Sequence, residues 1–131
     1  MAQTQDEPPF RRIGPELPVS PVVLSVPHAG RALAPARRRA SGLRREQLET
    51  LEDPLVDRLV WRALGTGATA IVANTPRAEI DLNRDEREID PASVVPPLPS
   101  RSVLTSARTR GGLGLIPSRI AGAGAIWLHR I

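Results

Sequence analysis

The feature that most constrains this chain is the run Val22-Val23-Leu24-Ser25-Val26, stopped by Pro27 and followed by His28-Ala29-Gly30. A short β-branched apolar run with no charge suits a strand buried on both faces of a parallel sheet. His28 then falls just beyond the strand's carboxyl end, where open α/β sheets bind ligands. An imidazole presented there is a candidate metal ligand, and equally a histidine held by backbone in a tight Pro/Gly turn.

The flanking segments extend the same pattern. Thr69-Ala70-Ile71-Val72-Ala73 predicts a second buried strand, so residues 21 to 73 read as a strand, helix, strand unit with a right-handed crossover. Between the strands, Ala34 to Leu51 is rich in strong helix formers and predicts one or two short helices. Asp53-Pro54 predicts a further helix start, with Asp53 as N-cap and Pro54 at the first helical position. Leu55, Val56, Leu59, Val60, Ala63 and Leu64 would share its apolar face, and Gly65 would end it. Residues 1 to 20 carry Pro8, Pro9, Pro15 and Pro18 and read as an extended arm, leaving 21 to 131 as the domain.

Composition narrows the functional classes. The 131 residues suffice for one modest core, which must be aliphatic because there are one Phe, two Trp and no Tyr. The absence of cysteine excludes disulfides, thiolate zinc sites and a cysteine nucleophile, and suits a cytoplasmic setting. Neither a signal peptide at the start nor an apolar run long enough to cross a membrane is evident. All 18 basic side chains are arginine, against 14 acids. Arginine forks hold carboxylates or phosphates, which keeps anionic small molecules and nucleic acid open as partners. Scarce aromatics and interspersed acids weigh against a small arginine-rich nucleic-acid-binding module.

Three clusters are left to carry chemistry. Besides His28, Glu52-Asp53 supplies carboxylates that can reach the same sheet edge and share a metal with it, although Asp53 before Pro54 is also what a helix cap looks like. The alternation of Ala78-Glu79-Ile80-Asp81-Leu82-Asn83 predicts an extended strand with Glu79, Asp81 and Asn83 on one face. With Arg77 and Arg84 flanking it, this segment suits an acidic amino-acid derivative, or is a surface strand laced with ion pairs. The proline-rich stretch from Asp85 to Ser100 is an irregular excursion and a candidate cover for a site. Arg108 to Gly114 and Gly122-Ala123-Gly124 lack the spacing of nucleotide-binding loops.

Taken in order, Ser-Val-Pro-His-Ala-Gly at 25 to 30, Glu52-Asp53, Val56-Asp57-Arg58-Leu59, Arg77, Ile80-Asp81-Leu82-Asn83-Arg84 and Gly112-Leu113-Gly114-Leu115-Ile116-Pro117 resemble the N-formylglutamate amidohydrolase family. The resemblance implies an α/β fold with a mostly parallel sheet flanked by helices, phosphorylase/hydrolase-like and similar to the zinc carboxypeptidases. It implies zinc held by His28 and Asp53, and a substrate carboxylate bound by Arg77, Asn83 and Arg84. The implied reaction is hydrolysis of N-formyl-L-glutamate, or a related small acidic N-acyl amino acid, to formate or another carboxylate and the free amino acid, late in histidine breakdown. The family's further zinc-binding histidine and its general base have no match here, since His129 sits in no comparable motif. The expectation is therefore a truncated domain of impaired activity, with an unpaired sheet edge and apolar surface around Trp127 prone to self-association. A non-catalytic carboxylate-binding relative is the alternative.

Overall fold

The computed structural model describes residues 7 to 131; the first six residues of the expected arm lie outside them. Strands β1 (Phe10–Ile13), β2 (Val23–Val26) and β3 (Thr69–Ala73) form one sheet in the order β1-β3-β2. β2 runs parallel to β3, with Val23 opposite Thr69 and Val26 opposite Val72. β1 runs antiparallel to β3, with Phe10 opposite Ala73 and Ile13 opposite Ala70. A second, two-stranded antiparallel sheet joins β4 (Arg119–Ile120) to β5 (Gly124–Ala125).

The expectation of a mostly parallel, phosphorylase/hydrolase-like sheet is thus overturned: the sheets are small, one mixed and one antiparallel. The reason lies in the N-terminal segment. Asn74, just past β3, donates its backbone N–H to the Pro9 carbonyl at 2.9 Å and its side-chain amide to the Pro8 carbonyl at 2.8 Å. Those bonds dock the residues after the prolines along β3, where they complete an antiparallel ladder. Proline supplies acceptors even where it has no N–H to donate.

Between β2 and β3 lie α1 (Pro35–Ala40), α2 (Arg45–Leu48) running into a 3₁₀ turn at Glu49–Leu51, α3 (Val56–Leu59) and α4 (Trp61–Leu64). The helix expected from Asp53 starts only after Leu55, which has a φ of 65°, and no side chain caps it. It is also interrupted at Val60, leaving two short turns. Val56, Val60 and Leu64 pack on the sheet with Val26, Ala70 and Val72. Leu55 and Leu59, expected on that apolar face, are exposed. The left-handed residue rotates the entry to the helix, so a uniform helical period from residue 55 no longer describes which side chains point inward.

A second core cluster gathers Leu43, Leu48, Ala78, Ile120 and Ile126. Trp127 is half-buried against it and donates its indole N–H to the Pro117 carbonyl at 2.8 Å, so this indole is part of the packing. α5 (Ala107–Arg110) is capped by the Ser106 hydroxyl, which accepts from the Thr109 N–H. Among the described residues no helix is long and apolar enough to cross a membrane.

Candidate active site

His28 stands at the carboxyl end of β2 and is 5% exposed. Its turn is set by Gly30, where a Cβ would lie only 2.3 Å from the Asn74 carbonyl oxygen. The turn therefore rests backbone against backbone on the end of β3, and Ala32 seals it by donating to the same carbonyl. On the other side the Asp53 N–H donates to the His28 carbonyl at 3.0 Å, which brings residue 53 beside the imidazole.

The imidazole is flanked by two carboxylates. Its Nε2 lies 2.8 Å from Asp81 Oδ1 and its Nδ1 lies 3.2 Å from Asp53 Oδ2. Asp81 is 1% exposed and saturated with donors. Oδ1 also accepts the Asn83 N–H at 3.0 Å, Oδ2 accepts Arg77 Nε at 3.0 Å, and Arg84 Nη2 forms an ion pair with Oδ2 at 3.5 Å. Burial alone would raise the Asp81 pKa, but the bonds from the Asn83 N–H, His28 and Arg77 outweigh it and hold the carboxyl below its ordinary range. Asp81 is therefore a carboxylate, and its natural contact with His28 takes the proton of Nε2–H.

That choice of tautomer decides the other side. With the proton on Nε2, Nδ1 presents a lone pair to a carboxylate 3.2 Å away. Two acceptors facing one another require a positive centre between them, either a second proton on the imidazole or a metal cation. Donors sharing a tetrahedral zinc, at about 2.0 to 2.2 Å each, would stand about 3.3 Å apart. His28 and Asp53 thus fit as two ligands, and Asp81 fits the carboxylate that typically orients a ligating histidine from behind. Among the described residues there is no group of three or more His, Asp or Glu side chains placed to hold a metal. His129 is exposed near the last residue.

The other expected residues are distributed differently from their forecast. Residues 78 to 83 are not a strand: Glu79 and Ile80 N–H groups both donate to the Pro76 carbonyl, coiling the segment into turns. This coil allows the Arg77–Asp81 pair at i, i+4. It also separates the supposed common face, since Asp81 is buried, Asn83 is exposed, and Glu79 lies 3.5 Å from Arg37. Arg84 is nearly enclosed, bonding the Leu113 carbonyl at 3.0 Å and the Asn83 carbonyl at 2.7 Å. Arg77 Nη1 reaches the Leu51 carbonyl at 3.3 Å.

The Gly112 to Pro117 motif is what holds this turn. Leu115 accepts the Asp81 N–H at 2.7 Å, and its own N–H donates to the Glu88 carbonyl at 2.7 Å. Gly114 passes so close to Glu88 that an added Cβ would sit 2.3 Å from that carbonyl oxygen. Sequence reasoning placed Asp81 on a common face with Glu79 and Asn83 but gave it no role at His28. Its signal was its place in the middle of the Ile80 to Arg84 run, between two arginines.

Glu52, the neighbouring carboxylate, turns away from His28. It bonds Arg31 Nε at 3.1 Å and borders a cavity of about 170 Å³ with Arg38 and Glu49. Burial raises its pKa and the Arg31 guanidinium opposes that only in part. Asp53, not Glu52, is the carboxylate at the imidazole.

The site thus combines a buried Asp81–His28 pair with the solvent-exposed Asp53 carboxylate at the carboxyl end of β2. The model of the N-formylglutamate amidohydrolase family matches residues 20–131, and the chain belongs to that family. A solved structure of N-formylglutamate amidohydrolase from Ralstonia eutropha JMP134 is similar to it with a TM-score of 0.84 and 32% sequence identity. That match covers 94% of this chain and 43% of the other, so the chain spans less than half the length of this relative. A search of curated proteins finds no match.

Proposed function

We propose that these residues form the metal-binding side of a zinc-dependent deacylase site that hydrolyses N-formyl-L-glutamate or a related acidic N-acyl amino acid. The observation that carries this reading is the imidazole held between two carboxylates, with Nδ1 3.2 Å from Asp53 Oδ2 and Nε2 2.8 Å from Asp81 Oδ1. His28 and Asp53 hold the cation, and Asp81 fixes the tautomer that frees Nδ1 for it. Zinc, when bound, polarises a carbonyl oxygen and brings the pKa of its water to about 7.

Asn83, exposed beside Asp81, offers an amide to a substrate carboxylate. Among the described residues Arg77 Nη2 has no bonding partner, whereas a substrate would have to compete for Arg84 with Leu113, Asn83 and Asp81. The product pair would be formate and the free amino acid. Because a catalytic zinc normally has three protein ligands plus water, these 131 residues alone are expected to retain zinc weakly and to hydrolyse slowly.

The test is zinc retention by the purified chain, read by metal analysis after equilibrium dialysis, together with formate release from N-formylglutamate. His28→Ala and Asp53→Ala should each lower zinc affinity at least about tenfold. Retention unchanged in both variants would overturn the metal assignment. A carboxylate-binding relative without catalysis is favoured by the pairing of only two candidate ligands among the described residues. It predicts glutamate-derivative binding that is indifferent to zinc.

A further inference from the structure

The cavity of about 170 Å³ beside Glu52 shares two chain segments with the His28 centre but none of its bonding. Asp53 meets the imidazole while Glu52 turns to the cavity. Arg77 reaches Asp81 while its neighbours Pro76 and Ala78 line the cavity. Alternate residues thus serve two separate places, divided by main chain.

The cavity walls differ in kind. Leu48 and Ala78, buried in the second core cluster, and Leu33, packed against that cluster, supply an apolar side. Arg31 and Arg45 also line the space, and each is fixed to a glutamate through Nε, Arg31 to Glu52 at 3.1 Å and Arg45 to Glu49 at 2.6 Å. Among the described residues the terminal nitrogens of both guanidinium groups have no partner. A guanidinium held by Nε keeps its Nη1 and Nη2 edge for a carboxylate, which it can take with two parallel bonds.

Glu52 supplies the opposite chemistry. Its side chain is 4% exposed, Oε2 is used by Arg31, and Oε1 has no hydrogen-bond partner among the described residues. Thr69 Oγ1 is the one fully enclosed side-chain atom left unpartnered there, so Glu52 Oε1 keeps contact with open space. The space that Glu52 lines is this cavity. A carboxylate oxygen drawn that far into the protein costs free energy until a donor reaches it.

We propose that the cavity binds a free α-amino acid with an aliphatic side chain. Its ammonium would meet Glu52 Oε1, its carboxylate the forks of Arg31 and Arg45, and its side chain Leu33, Leu48 and Ala78. A plain carboxylate would leave Glu52 Oε1 unpaired, and a plain amine would leave both forks unpaired. Size points the same way. The volume is the share of about five or six water molecules, well below the roughly 300 Å³ at which sites for drug-sized ligands begin. The inference stands apart from the zinc assignment.

The test titrates L-leucine into the isotope-labelled full chain without added metal and follows the backbone amide chemical shifts. Saturable shifts are expected at Leu33, Leu48, Glu52 and Ala78. N-acetyl-L-leucine, which lacks the ammonium and mimics a peptide carboxyl terminus, and isopentylamine, which lacks the carboxylate, should each bind at least about tenfold more weakly. Arg45→Ala and Glu52→Gln should each weaken leucine binding at least about tenfold. The Arg45 side chain is 64% exposed, so its variant keeps the fold and decides the matter even where Glu52→Gln folds poorly. No saturable shifts, shifts confined to the surroundings of His28, either analogue binding as tightly as leucine, or unchanged affinity in Arg45→Ala would each overturn the proposal.

Discussion

The two sides of the His28 ring are built on opposite principles. On the Nε2 side, Asp81 is sealed from solvent, hydrogen-bonded by a backbone N–H, Arg77 and the imidazole, and ion-paired with Arg84. On the Nδ1 side, the Asp53 side chain is 58% exposed and its carboxylate meets the imidazole alone. The first arrangement has no capacity left for a ligand; the second has little else to do. Rigidity and reactivity are thus divided across one imidazole, and the histidine can be aimed from behind without consuming the lone pair at the front.

Substitutions measure that division. Asp81→Ala strands two guanidinium groups and an imidazole, and should cost about 3–5 kcal/mol in denaturant unfolding; a loss as small as that of Asp53→Ala would erase the distinction between the sides. Arg84→Ala leaves the Leu113 and Asn83 carbonyls short of a donor and removes one of the two cations paired with Asp81, and should cost about 1–3 kcal/mol. Asp53→Ala should stay within about 1 kcal/mol of wild type while zinc retention falls, so that stability and metal binding separate.

Acid titration sharpens the contrast further. The Asp81 pKa is depressed in the folded state, so its contribution to stability is present above the unfolded value of about 4 and is lost as pH falls through the lower folded value. Glu52 has the opposite sign. Its pKa is raised by burial, so the folded state holds that proton more tightly and stability declines as pH rises from about 4 through the raised value. Glu52→Gln should remove that decline and shift stability at neutral pH by about 1 kcal/mol or less. A wild-type stability profile between pH 4 and 7 that is identical in Glu52→Gln would contradict the assignment.

The sequence made some of this legible and hid the rest for identifiable reasons. β3 falls on Thr69–Ala73 as expected, and β2 is one residue shorter than the apolar run that announced it. β3 is buried as its β-branched residues lead one to expect, whereas β2, expected to be buried on both faces, leaves Val23 exposed because it lies at the edge of the sheet. The antiparallel β1 was hidden because its pairing depends on Asn74, more than sixty residues away, reaching back to the Pro8 carbonyl. The alternation at residues 78 to 83 misled because its polar members serve different partners: Asp81 is drawn inward by His28 and two arginines, and Leu82 is left outside. Asp53 before Pro54 had the chemistry of a helix cap, but Leu55 in the left-handed region delays the helix and frees the carboxylate for the imidazole.

The contact at Gly30 bears on how mutational data from such a chain should be understood. Any side chain there would push the His28 turn off the end of β3, through a collision with main-chain atoms that have nowhere to move. A selection scored only on activity would rank Gly30 with His28, although it has no functional group at all. Intolerance at this position would report the space a histidine needs, and only a stability readout on the same variants would tell the support from the chemistry.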